Sequence, residues 1–388
     1  MLPQYDSKDN PLLADLTCRL SDYLHSDHVT KFSLSRWLTA YEGDLEACER
    51  AVRSHVHWRR ILGLDGEAPI DPIMENYFPI IYIHSEATTG KDNLLLRIWP
   101  VGKFDFYGLQ HSIKISSFIL SLMQIFDADY KYMLRQERLT NRRSGFLYVF
   151  DLEGFKFDSW AASSIRTAVP GIAELLAKNY CEIIDHILIV NPGHYMTAAF
   201  SLIENSLPRK FRDKIQVLGS NWKSELLDFI EPDQLPVRLN GTNQLIEIEY
   251  SALSSKTIPS DQFYDPNKEP VNESLIEYKV ISSQSKHIVS YEVCTENMQM
   301  RWYFKTDGEI KFSIYRTEKA PKTEEDPMPE EHLVFPKLLL ATPSIPEFGS
   351  ISCKETGWYH IEFENNHTTC ARTVKYSIKL RMPSRKDI

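Results

Sequence analysis

Nothing in this chain approaches the run of about 20 apolar residues that a bilayer-spanning helix needs, which argues against an integral helical membrane protein. Positive charge is not in excess either. Lys and Arg number 44 against 53 Asp and Glu, for a formal net charge of −9. Bulk nucleic-acid binding needs a cationic face and is disfavoured; adhesion to anionic membranes is left with a local basic patch as its only electrostatic route. The six cysteines (Cys18, Cys48, Cys181, Cys294, Cys353, Cys370) are scattered, with no CxxC pair and no zinc-ligand spacing. That is the pattern of free thiols in a reducing compartment. The opening residues MLPQYDSKDN hold no apolar signal region, so a cytoplasmic location is expected. On that expectation the sequons at Asn240, Asn272 and Asn366 are chance matches.

Catalytic signatures are missing as well. The chain has no G-x-G-x-x-G, no phosphate-loop motif, no H-E-x-x-H and no G-x-S-x-G. His55 and His57 lie roughly 200° apart on a helix and cannot share a metal there. His25 and His28 have only Asp22 and Asp27 near them, so a solvated helix is the simpler reading. Asp151 and Glu153 leave a strand, where Asp serves more often as a turn residue than as a general base. No catalytic residue, metal or cofactor is expected, and the chain is not expected to be an enzyme.

What is present suits a soluble protein of two or three domains: 388 residues, 43% hydrophobic and 25% charged. Residues 12–62 read as helices, with Leu34, Trp37, Leu38 and Tyr41 at helical spacing, Asp44 as an N-cap and Gly63 as a stop. From Ile80 to Val237 short apolar runs (IIYIH, NLLLRIW, FLYVFDL, HILIV, KIQVLG) alternate with helical stretches at 110–138, 159–180, 196–206 and 222–230. That alternation predicts an α/β sheet with covered strands. After a Ser/Pro/Asp-rich stretch at 251–273, the runs HIVSYEVCT, MQMRWYFKT, IKFSIYRT, WYHIEFEN and TVKYSIKLRM alternate polar with apolar residues. They predict an antiparallel β-sandwich. The segment TEKAPKTEEDPMPEE between them reads as a solvated loop.

The block from Asn179 to Gly241 is the most distinctive. Its middle, Met196 to Leu207, is greasier than a surface helix requires, with Met196, Ala198, Ala199, Phe200, Leu202 and Ile203 leaving little polar surface. Such a helix sits against a core or against an apolar ligand. Phe146, Tyr148 and Phe150 alternate on one strand, so three aromatics face one way. Both sets fit an ordinary core equally well.

Four segments in order resemble the Sec14-like lipid-transfer family with its CRAL-TRIO domain. They are LSRWLTAYEGDLEACERAVRSHVHWRR, PVGKFDFYGL, LYVFDLEGF and the block from Asn179, whose K-I-x-x-L-G-x-x-W and I-x-P-x-x-L-P-x-x-x-x-G patterns carry the most weight. The C-terminal strands resemble a GOLD domain, an order similar to the subgroup that includes supernatant protein factor. The resemblance implies a helical lobe at 1–68, a CRAL-TRIO-like α/β lipid-binding domain at 69–245, a linker at 246–282 and a GOLD-like all-β jelly-roll sandwich at 283–383. It further implies a lipid cavity lined by Phe146, Tyr148, Phe150, Met196, Ala199, Phe200 and Ile203 under a mobile gate at 196–207. Glu182 and Lys214 fall on the family's headgroup positions; a helix-end role accounts for either equally well. Where phosphatidylinositol-binding members carry a basic pair, this chain has Tyr41 and Glu42. Cys181 replaces the Pro of an N-Y-P-E pattern, and Phe146 and Tyr148 fill the phosphatidylcholine headgroup positions. These departures favour tocopherol, squalene or another isoprenoid over phosphatidylcholine, with a phosphoinositide still open. Arg97, alone among apolar neighbours, meets either an anionic ligand group or a structural partner. The expected partners are a hydrophobic lipid, a membrane met transiently and a protein docked on the sandwich. A lipid-responsive adaptor is the alternative to a carrier.

Overall fold

The computed structural model describes residues 10–24, 30–66, 70–78, 88–201, 203–252, 256–268, 275–320 and 328–382. The expected strand IIYIH, His25 and His28, Leu202 and residues 321–327 of the acidic loop after Thr317 lie outside them. The chain forms two compact units, one drawn from 1–56, 72–106 and 122–257, the other from 57–71, 107–121 and 258–388.

The first unit opens with α1 (Pro11–Leu20), α2 (Lys31–Ala40) and α3 (Leu45–Leu62), the last running on into the second unit. Each start is capped. Asn10 accepts from the Leu12 amide, Thr30 and Ser33 form a reciprocal capping box, and Asp44 Oδ1 accepts from the Ala47 amide at 3.0 Å. Gly63 then takes φ +64°, the left-handed stop expected of it. Leu13, Leu16 and Leu20 of α1 pack with Leu34, Trp37, Leu38, Cys48 and Val52 around the buried Cys181.

After α4 (Pro72–Tyr77) come β1 (Leu95–Trp99), α5 (Phe106–Ser112), α6 (Ile115–Thr140), β2 (Phe146–Asp151), α7 (Ser159–Asn179) and β3 (Ile184–Val190). Then follow α8 (Met196–Ser201), α9 (Arg209–Arg212), β4 (Ile215–Val217), α10 (Trp222–Phe229) and α11 (Gln244–Ala252). The four strands pair in parallel in the order β1-β2-β3-β4, with Tyr148 opposite Arg97 and Ile187. One face (Leu96, Ile98, Leu147, Val149, Leu188, Val190) packs on Trp222 and Leu226 of α10 and Ile246 and Tyr250 of α11. Gly241 closes this layer, since a Cβ there would stand 2.0 Å from the Leu235 carbonyl oxygen; that explains the glycine ending the I-x-P-x-x-L-P pattern. The expected helices at 110–138 and 196–206 are each interrupted. The first breaks between α5 and α6. The second ends at Ser201 and continues as a single 3-10 turn, Glu204–Ser206, and the Leu207-Pro208 step stops helix beyond it.

In the second unit β5 (Glu277–Ile281), β6 (Ser285–Val293), β7 (Met298–Thr306), β8 (Ile310–Thr317), β9 (Leu333–Leu340), β10 (Glu347–Cys353), β11 (Gly357–Asn365) and β12 (Arg372–Arg381) form two antiparallel sheets. Their orders are β10-β7-β12-β5 and β6-β11-β8-β9. All five expected strands appear; β5, β9 and β10 are additional. Pro336 interrupts β9, Gly349 weakens β10, and β5 is a short, mostly exposed edge strand, so none showed clean alternation. The core is aromatic: Phe312 lies 4.9 Å from Phe304, 5.6 Å from Trp302 and 5.4 Å from Phe363, centroid to centroid. Tyr315 and Tyr359 are buried too, while Tyr303 and Trp358 are half-buried. Residues 107–121 join this unit because buried Glu347 caps the start of α6, accepting from the Ser116 amide at 2.9 Å and its hydroxyl at 2.6 Å.

Candidate functional site

Three chain segments converge beside the edge of the parallel sheet. α7 ends at Asn179, and its last turn contributes Leu176 and Ala177. The chain then turns through Tyr180 and Cys181, and Glu182 adopts φ +53°, the left-handed region. The helix α9, primed by Pro208, brings Arg209, Lys210 and Phe211, and Lys214 stands just before β4. With Ala40 and Tyr41 at the end of α2 they line an open cavity of about 310 Å³, at the lower end of the ~300–1,000 Å³ typical of small-ligand sites.

The two headgroup positions named from the sequence meet here. Lys214 Nζ stands 3.0 Å from Glu182 Oε2, and both side chains keep a fraction of their surface exposed toward the cavity region, 21% and 16%. Lys210 donates to the Ala40 carbonyl at 2.8 Å. From beneath, the buried Arg36 donates through Nε to the Glu182 carbonyl at 3.2 Å and also binds Glu137 and the Ser144 carbonyl. The strained turn at Glu182 is thereby fixed to α2. Cys181 is buried; burial, followed by the neighbouring Glu182 charge, pushes its thiol up to about 12, so it is inert packing.

Sequence reasoning missed Arg36, Arg209 and Lys210. The run P-R-K-F-R-D-K was a visible signal for the last two. Tyr41 does line the cavity, while Glu42 is exposed. Arg209 and Lys210 of α9 and Lys214 ahead of β4 line the cavity with Glu182, Arg209 lying also 3.8 Å from the exposed Asp213.

The residues named for an apolar cavity fall into two places on the other face of the sheet. Phe146 and Tyr148 lie fully buried on the side of α6. Tyr148 donates its hydroxyl to Asp129 Oδ2 at 3.0 Å, Asp129 pairs with Arg97 at 2.8 Å, and the Arg97 guanidinium sits 5.1 Å over the Phe146 ring. Arg97 thus has a structural partner, and burial raises the Asp129 carboxyl against the pull of that guanidinium. Phe150 and Met196 join Leu152, Phe155, Ala161 and Ile189; Phe200 and Ile203 join Ala173, Leu207 and Phe211. Ile165 of α7 and Ile215 of β4 belong to both groups, so the apolar layer under α8 is continuous. Ala199 is buried as well. Phe211 borders both this layer and the cationic cavity.

Asp151 serves structure. Its carboxylate accepts from the Glu153 amide at 2.9 Å, from Asn191 at 2.7 Å and from the Tyr250 hydroxyl. Among the described residues no group of three His, Cys, Asp or Glu side chains is placed to hold a metal ion, and no helix is long and apolar enough to cross a membrane.

Residues 101–241 match the CRAL/TRIO domain family. A CRAL-TRIO domain-containing protein of Caenorhabditis elegans is 22% identical over 99% of this chain and 93% of its own length. The SEC14 cytosolic factor of Kluyveromyces lactis is 22% identical over 63% of this chain and 81% of its own. A phosphatidylinositol/phosphatidylcholine transfer protein of Arabidopsis thaliana is 23% identical over 57% of this chain and 38% of its own.

Proposed function

We propose that this chain, whose residues 101–241 are a CRAL/TRIO domain and which is Sec14-like, binds a single lipid and exchanges it at membranes. The observation that carries the reading is the junction at Phe211. On one side lies a cationic pocket with one carboxylate; on the other lies a continuous apolar layer closed by α8. That layout matches an amphiphile with a phosphorylated, hydroxyl-bearing headgroup. Lys214, Lys210 and Arg209 would pair with phosphate oxygens, and Glu182 would accept hydrogen bonds from ring hydroxyls. A phosphatidylinositol-type lipid therefore fits better than phosphatidylcholine, and no bond is made or broken.

Exchange requires the apolar layer to open. The segment from Met196 to Leu207 is suited to this. It is bounded by Asn191-Pro192-Gly193, with Asn191 at φ +53°, and by Pro208, and α8 itself is only six residues long. Few intrahelical hydrogen bonds hold it, so its stability comes from packing Ala199, Phe200 and Ile203. An uncharged isoprenoid is the second reading, supported by the aromatic wall of Phe150, Phe155, Phe157 and Tyr195 around Met196.

Lipid extraction from protein purified out of cells, followed by mass spectrometry, tests both. Recovery of a phosphoinositide supports the first reading and an isoprenoid the second. Protein free of any stoichiometric lipid, and unable to acquire either class from vesicles, would sink the carrier.

A further inference from the structure

We infer that the outer face of the sheet β10-β7-β12-β5 is a docking surface for a bilayer rich in anionic lipids. The face is defined by register. Met300, Trp302 and Phe304 of β7 and Val374 and Tyr376 of β12 point into the sandwich core, so the alternate positions point away. Those positions place Lys379 directly opposite Arg301 and Lys375 directly opposite Lys305, with Arg381 following opposite Gln299. Of the remaining outward positions, Tyr278 and Val280 of β5 are exposed, whereas Ser377 is buried and Phe348 of β10 is packed against Lys114 and Tyr264, so the open surface lies around the cations and β5. No Asp or Glu stands among the outward positions. Among the described residues none of the five cations has an ion pair to a carboxylate.

Two like-charge pairs placed directly across strands disfavour the sheet. Sequences normally interleave opposite charges on such a face, as this chain does on the other sheet, where Lys286 and Lys337 flank Glu362 at 3.3 and 2.8 Å. A chain carrying nine net negative charges that gathers on one face five cations without a carboxylate partner among the described residues presents an anion-binding surface.

The shape selects the partner. The cations spread in two dimensions over adjacent strands about 4.8 Å apart instead of along a single line, as a sheet of headgroups does. At the edge, β5 adds Tyr278 and Val280, 65% and 57% exposed, with Lys375 Nζ 5.3 Å from the Tyr278 ring. A tyrosine and an aliphatic side chain beside lysines suit the headgroup region of a bilayer, and charge plus modest insertion supplies the two signals that stable peripheral binding needs. The surface is independent of the headgroup pocket, whose residues belong to the other unit.

Co-sedimentation of the full chain with phosphatidylcholine vesicles, with and without about a third phosphatidylserine, provides the test. Binding is expected only with the anionic lipid, and about 0.5 M salt should release it as the screening length shrinks. Lys305→Ser with Lys375→Ser should weaken partitioning about thirtyfold, the worth of two cations at an anionic surface. Its thermal midpoint should hold or rise, because a like-charge pair is relieved; Arg301→Gln with Lys379→Gln gives an independent second readout. Arg50→Gln, an exposed charge on α3, should leave partitioning unchanged. Equal binding of the double variants, or equal binding to neutral vesicles, overturns the inference. So does equal loss with Arg50→Gln alone, or binding to an acidic peptide or oligonucleotide in place of vesicles.

Discussion

Exchanging the charges of Glu182 and Lys214 separates the pocket's chemistry from its structure. The two groups meet at 3.0 Å and are mostly shielded, so the pair is worth about 1 kcal/mol to folding, near the top of the range for surface ion pairs. Lys214→Ala should therefore lower the melting temperature by only about 2–4 °C. In the lipid complex the same change removes a charge-assisted hydrogen bond to phosphate, worth about 1.5–3 kcal/mol, or roughly ten- to hundredfold in affinity. Glu182→Lys combined with Lys214→Glu re-forms the ion pair and should restore the melting temperature. Phosphatidylinositol affinity should stay low, because the carboxylate now faces the phosphate. The assay is transfer of labelled phosphatidylinositol between vesicles, read beside thermal unfolding of each variant. Wild-type transfer by Lys214→Ala, or full recovery of transfer by the swapped pair, would refute the headgroup assignment.

Three further outcomes are expected. Asp129→Ala leaves Arg97 buried without its partner and should cost about 3–5 kcal/mol in urea unfolding, whereas Asp129→Leu with Arg97→Met should recover most of that loss. His360 is buried between the Ser290 and Thr317 hydroxyls, and desolvation lowers it to about 4. Its unfolded counterpart protonates near 6.5, so its contribution is complete above that pH. About 1–3 kcal/mol should be lost as pH falls from 6.5 to 4, and His360→Gln should flatten that slope in pH-dependent denaturation. Phe200→Asp places a charge in the apolar layer under α8 and should abolish lipid transfer while circular dichroism stays native; unchanged transfer would count against opening at this segment.

The fold was legible where one signal had no competitor. Asn10, Thr30 and Asp44 are polar caps ahead of periodic apolar residues, and each begins its helix. The strands of the parallel sheet read as apolar runs because both faces are covered. The edge strands β5, β9 and β10 did not read so, since an exposed edge, a proline and a glycine each erase alternation. In the candidate pocket, Glu182 and Lys214 were singled out by motif position alone, and their ion pair came from the fold. Arg36 was not, because its partners Glu137, Ser144 and Glu182 lie 101 to 146 residues away.

By itself the amino-acid order determined local matters: which stretches become helix or strand, which side of each strand is apolar, and where helices begin and stop. These depend on neighbours within a turn or two and on side-chain period. Only the tertiary arrangement decided which groups share a space. It set the α9 cations beside the Glu182 turn, committed Arg97 to Asp129 and Tyr148, and aligned Arg301 with Lys379 and Lys305 with Lys375 on one face. Such meetings depend on strand register and long-range packing, where a shift of one residue turns every side chain to the opposite face.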